Sequence, residues 1–166
     1  MARDTKTLAT RALDLKQVPY ETLVFPETIR DALGVADYLG LPPSMIYKTL
    51  VVVPVDPPGR PLLVMIGGDR SLDLKRTARA IGLKKVRMAH HDEAERLTGL
   101  RVGGISPLAL LQRGFKVFLD DRARELEDAV VSAGKRGVNL RLKVADLVAM
   151  TQAHWIDASS GSSEQG

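Results

Sequence analysis

The chain of 166 residues contains no cysteine, which removes disulfides, thiolate metal sites and a cysteine nucleophile from consideration. No apolar run approaches the roughly 18 residues of a membrane span, and the opening Met1-Ala2-Arg3-Asp4 leads into a charged amphipathic stretch without the apolar core of a secretory leader. A cytoplasmic location is therefore expected. HExxH is missing, and the adjacent His90 and His91 cannot face one ligand position on a regular helix or strand. The Gly134-Lys135 pair invites a nucleotide-loop reading, but Ala129 stands five residues before Gly134, and Arg136 occupies the place where Ser or Thr would bind magnesium. No metal and no cofactor are expected.

What is present suits a globular protein. Hydrophobic residues make up 45% of the chain, enough for one domain to bury a core without metal or disulfide support; we place it at residues 1–157. Ser159-Ser160-Gly161-Ser162-Ser163 begins a polar tail, residues 158–166, that is expected to be disordered. Lys and Arg number 24 against 20 Asp and Glu, a net charge of +4 that is compatible with a polyanionic partner without requiring one.

Leu8, Ala12 and Leu15 predict a helix over residues 4–17 with Asp4 as N-cap. Tyr20 to Phe25 reads as a short strand, and Asp31 to Leu39 as a helix closed by Gly40. The β-branched run Met45 to Val53 predicts a central strand, joined through the Asp56-Pro57-Pro58-Gly59 turn to a partner strand, Pro61 to Ile66. Leu74, Ala78 and Ile81 mark a third helix capped by Ser71 or Asp73, and Lys84 to Met88 a short strand. A fourth helix ends at Gly99, with Asp92 and Glu95 forming its capping box. Phe115 to Leu119, Ala129 to Ser132 and Val138 to Leu142 read as strands, and Val144 to Met150 as the last helix.

Three features are candidates for function. Gly103-Gly104-Ile105-Ser106-Pro107 has the composition of a loop whose backbone N–H groups can closely approach a ligand, although a tight turn has the same composition. Lys48 lies inside the apolar run, where burial is costly unless its ammonium faces a cleft or snorkels to a sheet edge. Lys75, Arg76 and Arg79 share a helix face, and Lys135 and Arg136 a turn; both sets can contact phosphates or simply be solvated.

Together, Tyr47-Lys48-Thr49-Leu50, Leu72-Asp73-Leu74-Lys75, Lys84-Lys85-Val86, Thr98-Gly99, Val102 to Leu108 and Ser132-Ala133-Gly134-Lys135-Arg136-Gly137 resemble the YbaK family of aminoacyl-tRNA editing proteins, most closely from about Tyr47 to Leu147. The resemblance implies an α+β fold, a curved, nearly barrel-like mixed sheet surrounded by helices, similar to the editing insertion domain of bacterial prolyl-tRNA synthetase. It implies a trans-editing deacylase that cleaves the ester of mischarged tRNA, cysteinyl-tRNA(Pro) first among the substrates, with alanine- or serine-specific members as the alternative. Tyr47-Lys48-Thr49 matches the family motif that carries its essential lysine, so Lys48 is the expected catalytic group. Gly103 to Pro107 matches its substrate loop, and Thr49 and Ser132 its pocket wall. Phe25 and Asn139 stand where the cysteine-specific pattern has a tyrosine and an aspartate, and Ala109-Leu110 where it commonly has Gly-Gln. The absence of a Ser-His-Asp set agrees with the substrate-assisted route of the cysteine-specific branch, in which the substrate thiol attacks its own ester. The implied partners are the 3′ end of tRNA, contacted by Lys75, Arg76, Arg79, Lys135 and Arg136, and prolyl-tRNA synthetase. A silent tRNA- or synthetase-binding module of the same fold is the rival from another class.

Overall fold

The structure is a computed structural model that describes residues 4–161. Its centre is β3, Leu62–Gly67, every residue of which is buried. An unbroken apolar run of this length suits a strand covered on both faces. It pairs antiparallel with β2, Tyr47–Asp56, and parallel with β6, Lys116–Asp120. With β5, Lys85–Met88, and β9, His154–Ile156, these strands form a five-stranded mixed sheet in the order β5-β2-β3-β6-β9. Leu63 and Met65 point into a core shared with Leu13, Leu108, Leu119 and Leu140. Val64 and Ile66 point the other way, toward Ala78, Val86, Phe118 and Ile156. Each fully buried side chain of this size contributes roughly 1.5–3 kcal/mol.

A second sheet has the order β1-β8-β7, from Glu21–Val24, Val138–Lys143 and Asp128–Lys135. One parallel bridge, Ile46 to Val130, joins it to the region of β2. A small cluster of Phe25, Val35, Ala36, Ile46 and Val130 fills the junction. Five helices pack around the sheets: α1 (Leu8–Leu15), α2 (Ala32–Leu39), α3 (Leu74–Ala80), α4 (His91–Thr98) and α5 (Val144–Thr151). The fold is mixed α+β, as expected. None of these helices is long and apolar enough to cross a membrane.

Several local expectations need correction. Helix α1 is capped by Thr7, whose hydroxyl accepts from Thr10 N–H, rather than by Asp4. Its buried side is Ala9, Thr10 and Leu13, while Leu8 and Leu15 are exposed. Both stripes have helical spacing; packing of Ala9 and Leu13 into the main core decided between them. The N-cap of α4 is His90, whose N–H donates to Glu93 Oε1 at 3.0 Å, so Asp92 and Glu95 are not the cap. Arg87 holds Glu93 in a bidentate pair at 2.8 Å and lowers its pKa to about 2. The segment after the glycine loop, Pro107–Arg113, is a 3₁₀ helix that hydrophobic periodicity did not signal.

The polar tail does not begin at residue 158. Ala158 and Ser159 are fully buried, and Ser159–Ser160 forms β10 against β4, Ser71–Leu72. The buried Asp120 carboxylate accepts from Ala158 N–H and Ser159 O–H, each at 2.9 Å. Arg70 and Arg76 donate to the Ser159 carbonyl at 3.1 and 2.7 Å, and Thr77 donates to the Ala158 carbonyl. Composition suggested disorder, but these partners satisfy the polar groups of the segment and offset its ordering entropy. Residues 162–166 of the predicted tail lie outside the described residues.

Candidate active site

Strand β2 pairs with β3 from Tyr47 to Val52, but its pairing with β5 runs only from Val52 to Asp56. The last contact on that side is Ala89 N–H to the Val51 carbonyl, 2.9 Å. Among the described residues, Tyr47 to Leu50 therefore have a strand neighbour on one side only. In an antiparallel strand alternate residues direct their N–H and C=O to the same edge, so Thr49, two residues from Val51, presents its backbone groups along the open edge. A cavity of about 410 Å³ occupies this gap, between β2, the start of α2, the glycine loop and the second sheet.

Lys48, Thr49, Gly103, Ile105, Ser132, Phe25 and Asn139 all line this cavity, although they come from five separate segments of the chain. Lys48 is half-buried and has no hydrogen bond or ion pair among the described residues. Burial holds its pKa below the ordinary lysine value, opposed in part by the charges of Asp69 and Asp31. The Thr49 hydroxyl is enclosed and has no hydrogen-bond partner among the described residues. Ser132 and Asn139 are directly opposite each other in the β7–β8 ladder, which puts their side chains on the same face. Ser132 Oγ accepts from Gly134 N–H at 3.1 Å, leaving its proton for another acceptor. Asn139 is only 6% exposed, and its amide has no partner among the described residues. Among the described residues the Thr49 hydroxyl alone is both enclosed and unpaired, and such a group is costly to the fold. With Ser132 and Asn139 it leaves hydrogen-bonding capacity on the wall of the cavity.

Other predicted site residues stand elsewhere. Gly104, Ser106 and Pro107 do not line the cavity. The Gly104 N–H is already bound to the Arg101 carbonyl at 2.8 Å, and a Cβ on Gly104 would lie 2.9 Å from Arg136 N. Its missing side chain lets two loops pack together, not a ligand approach. Ser106 is fully buried and caps the 3₁₀ helix by accepting from Leu108 N–H, and Pro107 opens that helix. None of Lys75, Arg76, Arg79, Lys135 and Arg136 lines the cavity either. Arg76 is committed to Ser159 and Asp157, Lys135 donates to the Asp4 carbonyl at 2.7 Å, and Arg136 donates to the Val102 carbonyl at 2.8 Å. Lys75 and Arg79 are exposed on α3. Sequence reasoning missed Arg30, Asp31, Leu33, Met88 and His91, which also line the cavity. Asp31 was visible as the start of α2 and His91 as half of an adjacent histidine pair; Arg30, Leu33 and Met88 carried no local signal.

Fold and cavity define a mixed α+β protein with a cavity at an open strand edge, lined by a partly buried lysine and neutral polar side chains. Residues 26–150 match the aminoacyl-tRNA editing domain family, and the chain belongs to that family. It is 35% identical over 157 residues to EbsC of Enterococcus faecalis, a candidate Cys-tRNA(Pro)/Cys-tRNA(Cys) deacylase, covering 93% of this chain and 94% of EbsC. It is 32% identical over 108 residues to the proline–tRNA ligase of Nitratidesulfovibrio vulgaris, covering 64% of this chain and 18% of the ligase. The crystal structure of a hypothetical protein superposes with a TM-score of 0.83 at 27% identity, covering 92% of this chain and 99% of that one. A candidate trans-editing enzyme for prolyl-tRNA synthetase shares the fold at a TM-score of 0.77 and 24% identity, covering 94% of this chain and 99% of that one.

Proposed function

We propose that the chain is a single-domain, cytoplasmic trans-editing deacylase that cleaves the ester joining a wrong amino acid to the 3′-terminal adenosine of tRNA, with cysteinyl-tRNA(Pro) as its first substrate. The observation that carries this reading is Lys48, a partly buried ammonium without a hydrogen bond or ion pair among the described residues, beside the enclosed Thr49 hydroxyl in the cavity. A point charge there pairs with the terminal phosphate or with the ester carbonyl, where negative charge grows as the ester is attacked. Family membership and the likeness to EbsC support the reaction class.

Neither the Thr49 nor the Ser132 hydroxyl has a histidine as hydrogen-bond partner among the described residues, which suits a nucleophile supplied by the substrate; on a substrate without a thiol, a positioned water attacks instead. With a cysteinyl ester, the thiol sulfur attacks the carbonyl carbon and the C–O bond to the ribose breaks. The proton released by the thiol ends on the departing ribose oxygen, and a thiolactone leaves. The protein supplies orientation, through the backbone of Gly103 and the Ser132 and Asn139 wall, and electrostatics, through Lys48. Asn139 and Phe25 make the inner wall neutral, which suits a small uncharged side chain; a hydrogen-bonding wall of this kind discriminates better than an apolar one. Prolyl-tRNA synthetase is the proposed partner in selecting tRNA(Pro).

The test is deacylation of cysteinyl-, alanyl-, seryl- and prolyl-tRNA(Pro) by the wild type and by Lys48→Ala, with the fold of the variant checked by circular dichroism. Rapid loss of cysteinyl-tRNA that depends on Lys48 is the expected result. Preference for alanyl- or seryl-tRNA would reassign the substrate, and inactivity on all four would leave a tRNA- or synthetase-binding module.

A further inference from the structure

The glycine loop is held from behind the cavity, through a single residue. Val102 donates its N–H to Glu95 Oε2 at 2.9 Å, and its carbonyl accepts from Arg136 Nε at 2.8 Å. Arg136 Nη2 stands 3.9 Å from the same Glu95 oxygen. Both backbone groups of one loop residue are thus bound by ionised side chains, one from α4 and one from the turn between β7 and β8, and such charge-assisted bonds are the stronger kind. Neither side chain has a second structural task that accounts for it. Glu93, not Glu95, binds the backbone at the start of α4, and among the described residues Arg136 has no acceptors besides Val102 and Glu95.

What this arrangement fixes is the neighbouring residue. Gly103 has φ of +93°, and a Cβ there would lie 3.3 Å from Arg30 Cβ and 3.6 Å from Arg136 Cγ. Gly104 then rests directly on the backbone of Lys135 and Arg136. Val102, Gly103 and Ile105 line the cavity, as Lys48 does, while the side chains that hold them stand outside the lining.

We infer that Glu95 and Arg136 are positioning residues for the reaction: by binding both backbone groups of Val102 they set the Gly103 backbone relative to Lys48, so that an ester lying on the loop stays in register with the ammonium. The inference rests on the deacylase reading. Displacing a reacting group by about 1 Å is enough to cost about 100-fold in rate, and the anchors act at one residue's remove from the loop surface.

The experiment uses the full chain and four variants, Glu95→Ala, Glu95→Gln, Arg136→Ala and Arg136→Lys. Single-turnover deacylation is measured at saturating enzyme on the mischarged tRNA that the wild type prefers. Alongside it, thermal melting is followed and amide hydrogen exchange is read at Val102 and Gly104 and in β3 and β8. Glu95→Ala and Arg136→Ala are expected to slow the single-turnover step about tenfold or more and to speed exchange of the Val102 and Gly104 amides, with exchange in β3 and β8 unchanged. Glu95→Gln keeps an acceptor for the Val102 N–H and should recover much of the rate, as should Arg136→Lys, which keeps a cationic donor. Rates within twofold of wild type despite faster loop exchange would overturn the inference. So would rate losses that track a general rise in exchange and are not recovered by Gln or Lys. A wild type inactive on every mischarged tRNA would overturn the deacylase reading and this inference with it, whereas an active wild type with fully active variants overturns the inference alone.

Discussion

Lys48 and Arg136 are both partly buried cations close to the glycine loop, and they differ in what they have been given to bind. Arg136 is engaged: its Nε donates to the Val102 carbonyl at 2.8 Å, its Nη2 stands 3.9 Å from the Glu95 carboxylate, and its side chain is 11% exposed. Among the described residues Lys48 has no such partner, its pKa is held below the ordinary value by burial, and the hydroxyl next to it is enclosed without a hydrogen bond. One cation holds the loop, and the other lines the cavity with its bonding capacity unspent. The lesson is that a basic residue in a suggestive motif is not by itself a functional charge; unspent bonding capacity at a cavity separates the two kinds.

The sharpest way to break this comparison is to truncate both cations. Lys48→Ala should lower deacylation by about 100- to 1,000-fold, the range for removing one preorganised group that stabilises a developing oxyanion, without lowering the melting temperature. Arg136→Ala should cost less in rate and show its effect in the loop amides as well. If the two variants behaved alike in both readouts, the division of roles would be wrong.

A steric probe separates the two glycines. Gly104→Ala places a Cβ 2.9 Å from Arg136 N, between two backbones that cannot easily give, and should destabilise the fold by about 1–3 kcal/mol, read by urea denaturation. Gly40, unlike Gly104, has a positive φ, and a Cβ there meets nothing within 4 Å; the cost of Gly40→Ala should be limited to backbone strain, about 1 kcal/mol. A smaller loss at Gly104 than at Gly40 would show that the two loops do not pack as described.

Thr49→Val tests the unspent side in the opposite direction. Replacing an enclosed hydroxyl that has no partner with an isosteric methyl should raise stability by about 1 kcal/mol while reducing deacylation. A variant that loses stability would mean that the hydroxyl is satisfied in the free protein.

Lys48 also makes a pH prediction. Its folded pKa lies below the ordinary value of 10.5, with burial as the largest cause, so between the two values the unfolded chain holds more protons than the folded one. Stability must then rise with pH across that window, because the penalty of a buried ammonium is complete below the folded pKa and relieved above it. Relative to Lys48→Met, which carries no such penalty, the wild type should gain stability as pH climbs toward 10.5, followed as urea midpoints of both proteins. A constant difference between them would remove the pKa shift. The smallest effect should come from Lys75→Ala and Arg79→Ala: a few-fold weaker tRNA binding and a shallower salt dependence, measured by titration at several salt concentrations.

Local chemistry was enough to place most elements. The β-branched run through Val53 and the apolar run Leu62 to Ile66 could scarcely be anything but paired strands, and Asp31, Asp73, Gly40 and Gly99 bound helices where they were expected. The motif around Lys48 was legible too, because a lysine in such a run is anomalous whatever surrounds it. Tertiary structure alone decided the rest. Which stripe of α1 is buried, and whether a serine-rich end is ordered, depended on distant partners: Leu13 on the main core and Ser159 on Asp120, Arg70 and Arg76. Nor could the sequence distinguish a glycine that lines the cavity from one that serves a neighbouring loop, since Gly103 and Gly104 are identical and adjacent. Only the approach of the β7–β8 turn, which fills the space beside Gly104, separates them. A residue type reports which bonds a side chain can make, but whether those bonds are already spent is settled by what the rest of the chain brings within reach.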